Sequence, residues 1–173
     1  MSHHVVFLCT GNAARSVMAG AALAAHLPDW EVATAGTLVV EGQPMSWRTR
    51  AALESVGLTP PNHRSRQADA ALLDRAALVV GLAPEHVEWV RREHPEAAAR
   101  AATLRRLVRD LPASPEPLPV RVASLGLAAC SLGPWEEVVD PGGGDADVFA
   151  ACAREVVDLV AELAPRLDPA RGR

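Results

Sequence analysis

Lysine and tyrosine are both absent from the 173-residue sequence, so all 17 basic residues are arginine. Without lysine the chain cannot form a Schiff base, anchor pyridoxal phosphate or place a Walker lysine against a nucleotide. Without tyrosine it cannot be regulated by tyrosine phosphorylation. These absences exclude lysine-dependent catalysis and P-loop nucleotide hydrolysis.

Cysteine is scarce as well, because it occurs only at Cys9, Cys130 and Cys152. These positions form no C-x-x-C pair and no zinc-type spacing, and we expect Cys130 and Cys152 to be buried packing residues. The first apolar run is too short for a secretion signal or a membrane span. We therefore expect a cytoplasmic protein without a membrane partner, in a reducing setting that keeps a reactive thiol usable.

Charge and length narrow the class of protein further. A net charge of −4 gives no support for nucleic-acid binding, although local backbone dipoles can still hold a small anion. The length suits one domain that buries a full core without disulfides or metal. We expect a single domain over residues 1–165 and a frayed tail over residues 166–173.

Short apolar strands alternate with helices along the first half of the chain. Strands are predicted at residues 5–9, 30–35 and 76–81, and helices at residues 16–25, 46–56, 69–75 and 85–92. This alternation is typical of a parallel sheet covered by helices on both faces. The sequence therefore predicts an α/β fold.

The second half of the chain gives weaker signals. Alanine-rich residues 96–102 are predicted as helix, whereas residues 103–108 fit a strand or further helix equally well. Four prolines within residues 112–119 predict a loop or an extended segment. Residues 145–163 predict an amphipathic final helix.

The pattern that carries chemistry lies directly after the first strand. Residues 9–16 have the form C-x5-R-S, and open sheets bind ligands at such turns between a strand and a helix. The predicted phosphate-binding loop consists of Cys9, Thr10, Gly11, Asn12, Ala13, Ala14, Arg15 and Ser16. Its N–H groups can form an anion nest at the positive end of the helix, which also favours the thiolate form of Cys9.

Four residues of this loop suit a tetrahedral dianion beside a thiolate. Arg15 offers a planar fork of donors to two phosphoryl oxygens. Gly11 allows close approach, and Asn12 tolerates a left-handed conformation. Ser16 can cap the helix or hydrogen-bond the sulfur of Cys9. The alternative interpretation is a buried cysteine followed by an exposed arginine, but the strand–turn–helix context favours the phosphate site.

Residues 6–19 resemble the N-terminal signature of the low-molecular-weight protein tyrosine phosphatases. Residues 34–37, 42–44 and 63–67 resemble later family segments in the same order. The likeness extends to Asp140-Pro141 and the final helix. It implies an open, mostly parallel four-stranded sheet with helices on both faces, and no metal or organic cofactor.

The same resemblance implies a mechanism and a substrate class. Cys9 would attack phosphorus to give a cysteinyl-phosphate, while Arg15 and the loop amides hold the equatorial oxygens. Asp140 is the expected general acid, with Asp145 and Asp147 as weaker candidates. The supporting hydrogen-bond network is expected to consist of Asn12, Ser16, Thr34 and His63. The expected substrate is a phosphorylated protein or a small phosphoester, with phosphate as product and inhibitor.

Three loop positions depart from the family pattern. Ala14 replaces the usual second cysteine, so the protective disulfide with the nucleophile cannot form. Val17 replaces the usual proline at the start of the helix. Ala13 stands where tyrosine phosphatases have a larger aliphatic residue and arginine phosphatases have a threonine.

The rim of the pocket departs from the family as well. Its usual aromatic residues are replaced by Val39 or Val40 and by Gly142 and Gly143. Each missing ring removes about 1 kcal/mol of stacking with a substrate ring, so the activity is better supported than a phosphotyrosine preference. Trp47 or Trp135 could replace these rings, although packing is the simpler interpretation of both. The segment 112–134 looks longer than usual and is expected to reshape the edge of the pocket.

Two rival functions remain open. Arsenate reductases use the same loop, but thioredoxin-coupled ones need resolving cysteines near the third strand, and residues 79–95 contain none. A reductase that uses an external thiol remains an alternative. A non-catalytic phosphate-binding module is the other, although it would need neither Cys9 as nucleophile nor Asp140 as acid.

Overall fold

Both faces of the first strand are apolar, and this composition places it in the middle of the sheet. Strand β1 (His4–Cys9) is buried along its whole length and pairs in parallel with β2 (Glu31–Gly36) and β3 (Leu78–Gly81). Strand β4 (Ala101–Thr103) pairs in parallel with β3, so the order is β2-β1-β3-β4. The computed structural model, which describes residues 3–171, confirms the predicted open four-stranded α/β sheet.

Within residues 3–171, helices cover both faces of this sheet. They are α1 Arg15–His26, α2 Trp47–Ser55, α3 Ala70–Arg75, α4 Pro84–Glu93, α5 Leu104–Asp110, α6 Leu118–Ala123 and α7 Ala146–Leu167. Because side chains of a strand alternate between faces, Val5 and Phe7 pack in a core with α1, α5 and α7, whereas Val6 and Leu8 pack with α3 and α4. None of the described helices is long and apolar enough to cross a membrane.

The segment around residue 100 differs from the sequence prediction. Residues 96–102 were expected to be helical, but a 3-10 helix (Pro95–Arg100) leads into β4. Alanine favours helices, yet burial of Ala101 and Ala102 against β3 outweighs that preference. Thr103 then ends β4 and caps α5, so residues 104–108 are helical.

The proline-rich stretch is not wholly extended, because α6 begins inside it. Pro119 lies at the second position of this helix, where its missing N–H costs no intrahelical hydrogen bond. Arg121 of α6 is buried and donates to backbone carbonyls of the preceding loop and of Arg166 and Leu167. Residues 112–121 thus lie against the end of α7, whereas the carbonyls of Leu127 and Cys130 accept from Arg91 of α4.

The structure describes residues 166–171 of the predicted tail. Helix α7 continues to Leu167, two residues past the predicted domain boundary, and the carbonyls of its last turn accept from Arg121. Cations stabilise helix carboxyl ends in this way. Residues 172 and 173 of the predicted tail lie outside the described part of the chain.

The strand order defines where a ligand site belongs. The chain runs from β1 to β2 on one side of the sheet and then crosses to β3 on the other side. Open α/β sheets bind ligands at such a switch point, beyond the carboxyl ends of the strands. Residues 9–16 occupy this position.

Candidate active site

The loop after β1 leaves the start of α1 open to an anion. Ala14 is the N-cap of α1, and it provides no side-chain hydrogen bond to the first turn. The first N–H groups of a helix need a partner, and the positive end of the helix dipole favours a negative one. A phosphoryl group is a suitable partner at this point.

The sulfur of Cys9 lies at the base of this loop and is buried. Its Sγ is 3.0 Å from Ser16 Oγ, which also accepts a hydrogen bond from Asn12 Nδ2 at 2.9 Å. Because the amide of Asn12 donates, the hydroxyl of Ser16 is free to donate its own hydrogen to the sulfur. Of the two roles foreseen for Ser16, the structure therefore shows the contact with sulfur rather than a helix cap.

Asn12 joins the loop to two distant segments. It has a positive φ of 51°, and its Nδ2 also donates to Thr34 Oγ1 at 3.0 Å. Its Oδ1 accepts from the backbone N–H of Arg66 at 2.9 Å, and its carbonyl oxygen lies 2.7 Å from His63 Nε2. The structure thus brings together all the residues of the predicted network, Asn12, Ser16, Thr34 and His63.

The end of strand β2 packs closely against the backbone of the loop because its last residue, Gly36, has no side chain. A Cβ atom on Gly36 would lie 2.5 Å from the carbonyl oxygen of Thr10 and 2.9 Å from the nitrogen of Asn12. The chain continues in contact with the loop, since Leu38 N–H donates to that same carbonyl of Thr10 at 3.0 Å. Any side chain at position 36 would displace the loop.

Arg15 and Asp140 face each other across the site. The guanidinium of Arg15 is buried, and its Nη1 donates to the carbonyl of Val138 at 2.9 Å. Its Nη2 lies 3.6 Å from Asp140 Oδ2. The side chain of Asp140 is 61% exposed, and its Oδ1 accepts from Gly142 N–H at 2.9 Å. A carboxyl group with access to solvent thus lies beside the buried guanidinium of Arg15.

The other two acidic candidates lie elsewhere. Asp145 is the N-cap of α7 and accepts from the N–H groups of Asp147 and Val148, both at 3.1 Å. Among the described residues, neither Asp145 nor Asp147 lines the cavity above the loop. Of the three candidates, Asp140 is the one that lines this cavity in the described part of the chain.

A cavity of about 330 Å³ opens over the loop, between the start of α2 and the segment 140–149. Its lining residues are Cys9, Gly11, Ala13, Ala14, Arg15, Ser46, Arg48, Thr49, Asp140, Gly142 and Phe149. Cys9 and Arg15 are both buried members of this lining. The alanine and phenylalanine walls can contact the remainder of a substrate side chain.

His86 supports the loop and was missed by sequence reasoning. Its Nδ1 accepts from the N–H groups of Leu82 and Ala83 at 3.2 and 3.0 Å, so the neutral ring carries its proton on Nε2, 3.1 Å from Thr10 Oγ1. Burial, reinforced by the charge of Arg15, lowers the pKa of His86 to about 3. The available signal was its place in the first helical turn after β3, beside the end of β1.

Thr49 is a second supporting residue that the sequence did not reveal. It is fully buried in the first turn of α2, and its Oγ1 donates to the carbonyl of Ala13 at 3.0 Å. Ser46 caps the same helix by accepting from Thr49 N–H at 3.2 Å. Helix α2 therefore holds the far side of the loop.

Other sequence expectations about the pocket have mixed outcomes. Trp135 packs under Arg109, whose guanidinium carbon lies 4.0 Å from the ring centre, whereas Trp47 is exposed next to cavity residues. Residues 112–134 were expected to reshape the pocket edge, but within the described chain none of them lines the cavity, because they contact the end of α7 and the helices α4 and α5 instead.

The remaining cysteines differ from each other. Cys152 in α7 is buried as expected, and burial, with a contribution from Glu155, raises the pKa of its thiol to about 11. Such a thiol is a poor resolving nucleophile. Cys130 was expected to be buried but is partly exposed, because it follows a 3-10 helix at the surface, where its Sγ lies 3.3 Å from the carbonyl of Leu125. Among residues 3–171, no group of three or more His, Cys, Asp or Glu could hold a metal ion.

Comparison with known proteins agrees with this geometry. A profile of the low molecular weight phosphotyrosine protein phosphatase family matches residues 4–115. A protein-arginine-phosphatase from Geobacillus stearothermophilus is 29% identical over 168 residues, covering 96% of this chain and 97% of that protein. The solved structure of the YwlE arginine phosphatase from the same organism has a TM-score of 0.77 at 28% identity, covering 96% and 94% of the two chains. A low molecular weight protein tyrosine phosphatase from T. tengcongensis has a TM-score of 0.74 at 27% identity, covering 94% and 97%.

Since the profile match spans more than half of the sequence, the chain belongs to the low molecular weight phosphotyrosine protein phosphatase family. The resemblance noted from the sequence is confirmed. The protein is a phosphoric monoester hydrolase, of a family that acts on phosphorylated proteins.

Proposed function

We propose that the protein removes the phosphoryl group from a phosphorylated residue of a protein, through a cysteinyl-phosphate on Cys9. The observation that carries the proposal is the shared cavity of Cys9, Arg15 and Asp140. These residues supply a nucleophile, a phosphate-binding cation and a proton donor, and a purely phosphate-binding module would need only the second.

In the first step the sulfur of Cys9 attacks phosphorus in line with the leaving group. The sulfur–phosphorus bond forms while the bond from phosphorus to the leaving atom breaks, and Asp140 gives its proton to that atom. Arg15 and the N–H groups of residues 10–16 hold the three equatorial oxygens as their charge redistributes. Ser16 donates to the sulfur before the attack.

In the second step water attacks the phosphorus of the cysteinyl-phosphate. Asp140, now ionised, takes a proton from this water, so the carboxyl acts first as an acid and then as a base. The sulfur leaves as thiolate, and inorganic phosphate is released. The sulfur enters and leaves the cycle as thiolate, so Cys9 must stay reduced, which suits the cytoplasmic setting predicted from the sequence.

Protein phosphotyrosine and protein phosphoarginine are the proposed substrate residues. The similar proteins described above include both arginine phosphatases and a tyrosine phosphatase. Ala13 matches neither the larger aliphatic residue of tyrosine phosphatases nor the threonine of arginine phosphatases. The values of kcat/KM for a phosphotyrosine and a phosphoarginine peptide of the same sequence will decide between them.

The activity is tested by the turnover of two aryl phosphates under reducing conditions. We expect Cys9→Ala to abolish hydrolysis of para-nitrophenyl phosphate and phenyl phosphate alike. Asp140→Asn should lower kcat for phenyl phosphate by about 100-fold or more, since phenoxide needs a proton to leave. It should affect nitrophenyl phosphate less, because nitrophenolate leaves unaided.

The matched control is Asp147→Asn, which removes an exposed carboxylate outside the cavity and should leave both rates unchanged. Full activity of Cys9→Ala would contradict the mechanism. If the wild-type enzyme hydrolysed neither ester, the phosphatase proposal would fail, and arsenate with a low-molecular-weight thiol would be the next substrate to assay.

A further inference from the structure

One edge of the sheet runs along strand β2. The strand order places β2 and β4 at the two edges. Strand β4 has three residues, whereas β2 has six, which stay in unbroken register with β1 and include no proline. Proteins usually protect a sheet edge by a short strand, a proline, a bulge or a covering segment. The first three of these protections are missing from β2, so only a covering segment can protect its edge.

The backbone groups of alternate residues in β2 face away from β1. The N–H of Glu31 donates to the carbonyl of His3 at 3.0 Å, on the side where β1 lies. Because the N–H and C=O groups of a strand alternate between its two sides, those of Val32 and Thr34 face outward. Among residues 3–171, no backbone group pairs with them on that side. Two donors and two acceptors are therefore open along the edge, and the residues that carry them are about 7 Å apart.

The same series of outward groups is already paired one step further along the strand. The N–H of Gly36 donates to the carbonyl of Arg66, and the carbonyl of Gly36 accepts from the N–H of Ala68, both at 2.9 Å. These two hydrogen bonds form a parallel bridge. Residues 66–68 thus cover the end of the edge and show that an extended backbone fits beside it. This cover stops before Thr34.

A small cavity of about 190 Å³ lies beside the edge on the face that α1 covers. Helix α1 packs close to β2 here, since a Cβ atom on Gly20 would lie 2.5 Å from Thr34 Cγ2. An added strand would direct every second side chain to this face. A valine or alanine side chain suits the cavity, because burial of apolar surface is favourable. Most of the lining is apolar and includes Val17, Gly20, Ala21, Ala24, Val32 and Pro61.

A second cavity, of about 320 Å³, lies beside the edge on the face that α3 covers. Arg66 and Arg75 both line it, together with one carboxylate, that of Glu31, 3.3 Å from Arg75 Nη2. His4 lines it as well, and its buried Nδ1 has no hydrogen-bond partner in the described part of the chain. Two arginines against one glutamate leave an excess of positive charge. The cavity therefore suits a carboxylate on the alternate side chains of an added strand.

We propose that the edge of β2 binds an extended segment of a partner protein as an added strand, in which apolar and acidic side chains alternate. The outward groups of Val32 and Thr34 supply main-chain hydrogen bonds to the segment, and the two cavities select its side chains. Apolar side chains face α1, and acidic side chains face Arg66 and Arg75. This docking surface lies outside the cavity that contains Cys9 and does not depend on the proposed function.

The test measures binding of a capped, fluorescein-labelled hexapeptide of alternating valine and glutamate by fluorescence anisotropy. We expect it to bind about tenfold more tightly than the same peptide with arginine in place of glutamate. Two further peptides are N-methylated, one at every valine and the other at every glutamate. Only one of these two sets of N–H groups can face β2, so one N-methylated peptide should lose about tenfold in affinity and the other should not.

Val32→Pro removes the outward N–H of Val32 and leaves the pairing with β1 intact, because an edge strand tolerates proline where its N–H faces solvent. We expect about tenfold weaker binding of the valine–glutamate peptide, with turnover of para-nitrophenyl phosphate retained. Val32→Ala is the matched control, since it shortens the side chain but keeps the N–H, and it should weaken binding much less. The peptide series on the wild-type protein decides the question even if Val32→Pro does not fold.

Arg75→Glu tests the charge of the second cavity. It should weaken binding of the valine–glutamate peptide and strengthen binding of the valine–arginine peptide. Arg92→Glu is its matched control, because the side chains of Arg75 and Arg92 are both 66% exposed and each is paired with a glutamate, but Arg92 lies outside both cavities. This control should bind both peptides as the wild-type protein does.

Three results would overturn the proposal. The first is equal affinity for the glutamate and arginine peptides, and the second is an equal effect of the two N-methylation patterns. The third is a wild-type dimer, detected by light scattering, that Val32→Pro dissociates, because a second copy of the chain would then occupy the edge of β2.

Discussion

Asn12 shows how a single residue shapes this site through both its backbone and its side chain. Its left-handed backbone turns the loop, and its side chain bonds Ser16, Thr34 and the N–H of Arg66. Asparagine adopts this conformation more readily than most residues do. The residue therefore combines a steric role with an electrostatic one, and substitutions can separate the two.

We predict that Asn12→Ala and Asn12→Gly both lower kcat by about 100-fold, because a misplaced loop loses the orientation of its phosphate ligands. Glycine accepts a positive φ without strain, so Asn12→Gly should be the more stable of the two. The measurements are kcat on para-nitrophenyl phosphate and unfolding in urea. Wild-type kcat in Asn12→Gly would show that the side-chain bonds are not needed.

His86 makes the stability of the protein depend on pH. Its pKa falls from an ordinary value of 6.5 to about 3, through burial first and the charge of Arg15 second, with Asp140 opposing the shift. Between these pH values the unfolded chain binds a proton at His86 and the folded chain does not. Stability contributed by the neutral ring is therefore complete above pH 6.5 and is lost as the pH falls toward 3.

We predict that the free energy of unfolding of the wild-type protein decreases on acidification. His86 contributes up to about 1.4 kcal/mol of this decrease per pH unit. His86→Gln should be less stable at neutral pH and should show a shallower dependence across the same window. Urea unfolding at several pH values measures both slopes. Identical slopes in the two proteins would contradict the assignment of a neutral, buried imidazole.

At the scale of elements, a buried ion pair holds the segment that carries Asp140 against α5. The carboxylate of Glu136 accepts from Arg106 Nε at 2.8 Å, Thr103 Oγ1 at 2.8 Å and Gly133 N–H at 2.7 Å. Burial alone would raise the pKa of Glu136, but hydrogen bonds from Arg106, Gly133 and Thr103 outweigh it and lower the pKa. The charge is fully buried and well partnered.

We predict that Glu136→Leu lowers the free energy of unfolding by about 3 kcal/mol, because Arg106 loses its buried carboxylate partner and keeps only Asp110, 3.4 Å away, as a charged neighbour. Combining Glu136→Leu with Arg106→Leu should recover much of that loss, since no charge then remains buried. Unfolding in urea measures both variants. A double variant less stable than the single one would contradict the view that the unpaired charge causes the loss.

For the molecule as a whole, the sequence best predicts features formed by residues that are close together along the chain. Residues 9–16 carry their chemistry within one turn, so their spacing, together with the buried strand before them and the helix after them, indicated the loop. The resemblance to the family added Thr34, His63 and Asp140, and the geometry brings each of them to the loop or the cavity.

The features that the sequence missed depend on contacts between distant segments. His86 meets Thr10 only because β3 lies beside β1, and Glu136 meets Arg106 only because the segment after α6 folds back onto α5. No local pattern marks such a residue. The prediction of a helix at residues 96–102 was wrong because of another contact between distant segments. Pairing with β3 outweighs the helix preference of alanine there.

Detection of the covalent intermediate tests the proposed chemistry most directly. Wild-type enzyme and Asp140→Asn are mixed with para-nitrophenyl phosphate, quenched in acid during turnover, digested and analysed by mass spectrometry, with Cys9→Ala as control. We predict one phosphoryl group on the peptide that contains Cys9, more abundant in Asp140→Asn, where the base for the second step is missing, and absent from Cys9→Ala. Turnover without phosphorylated Cys9, or a phosphoryl group on another residue, would contradict the mechanism.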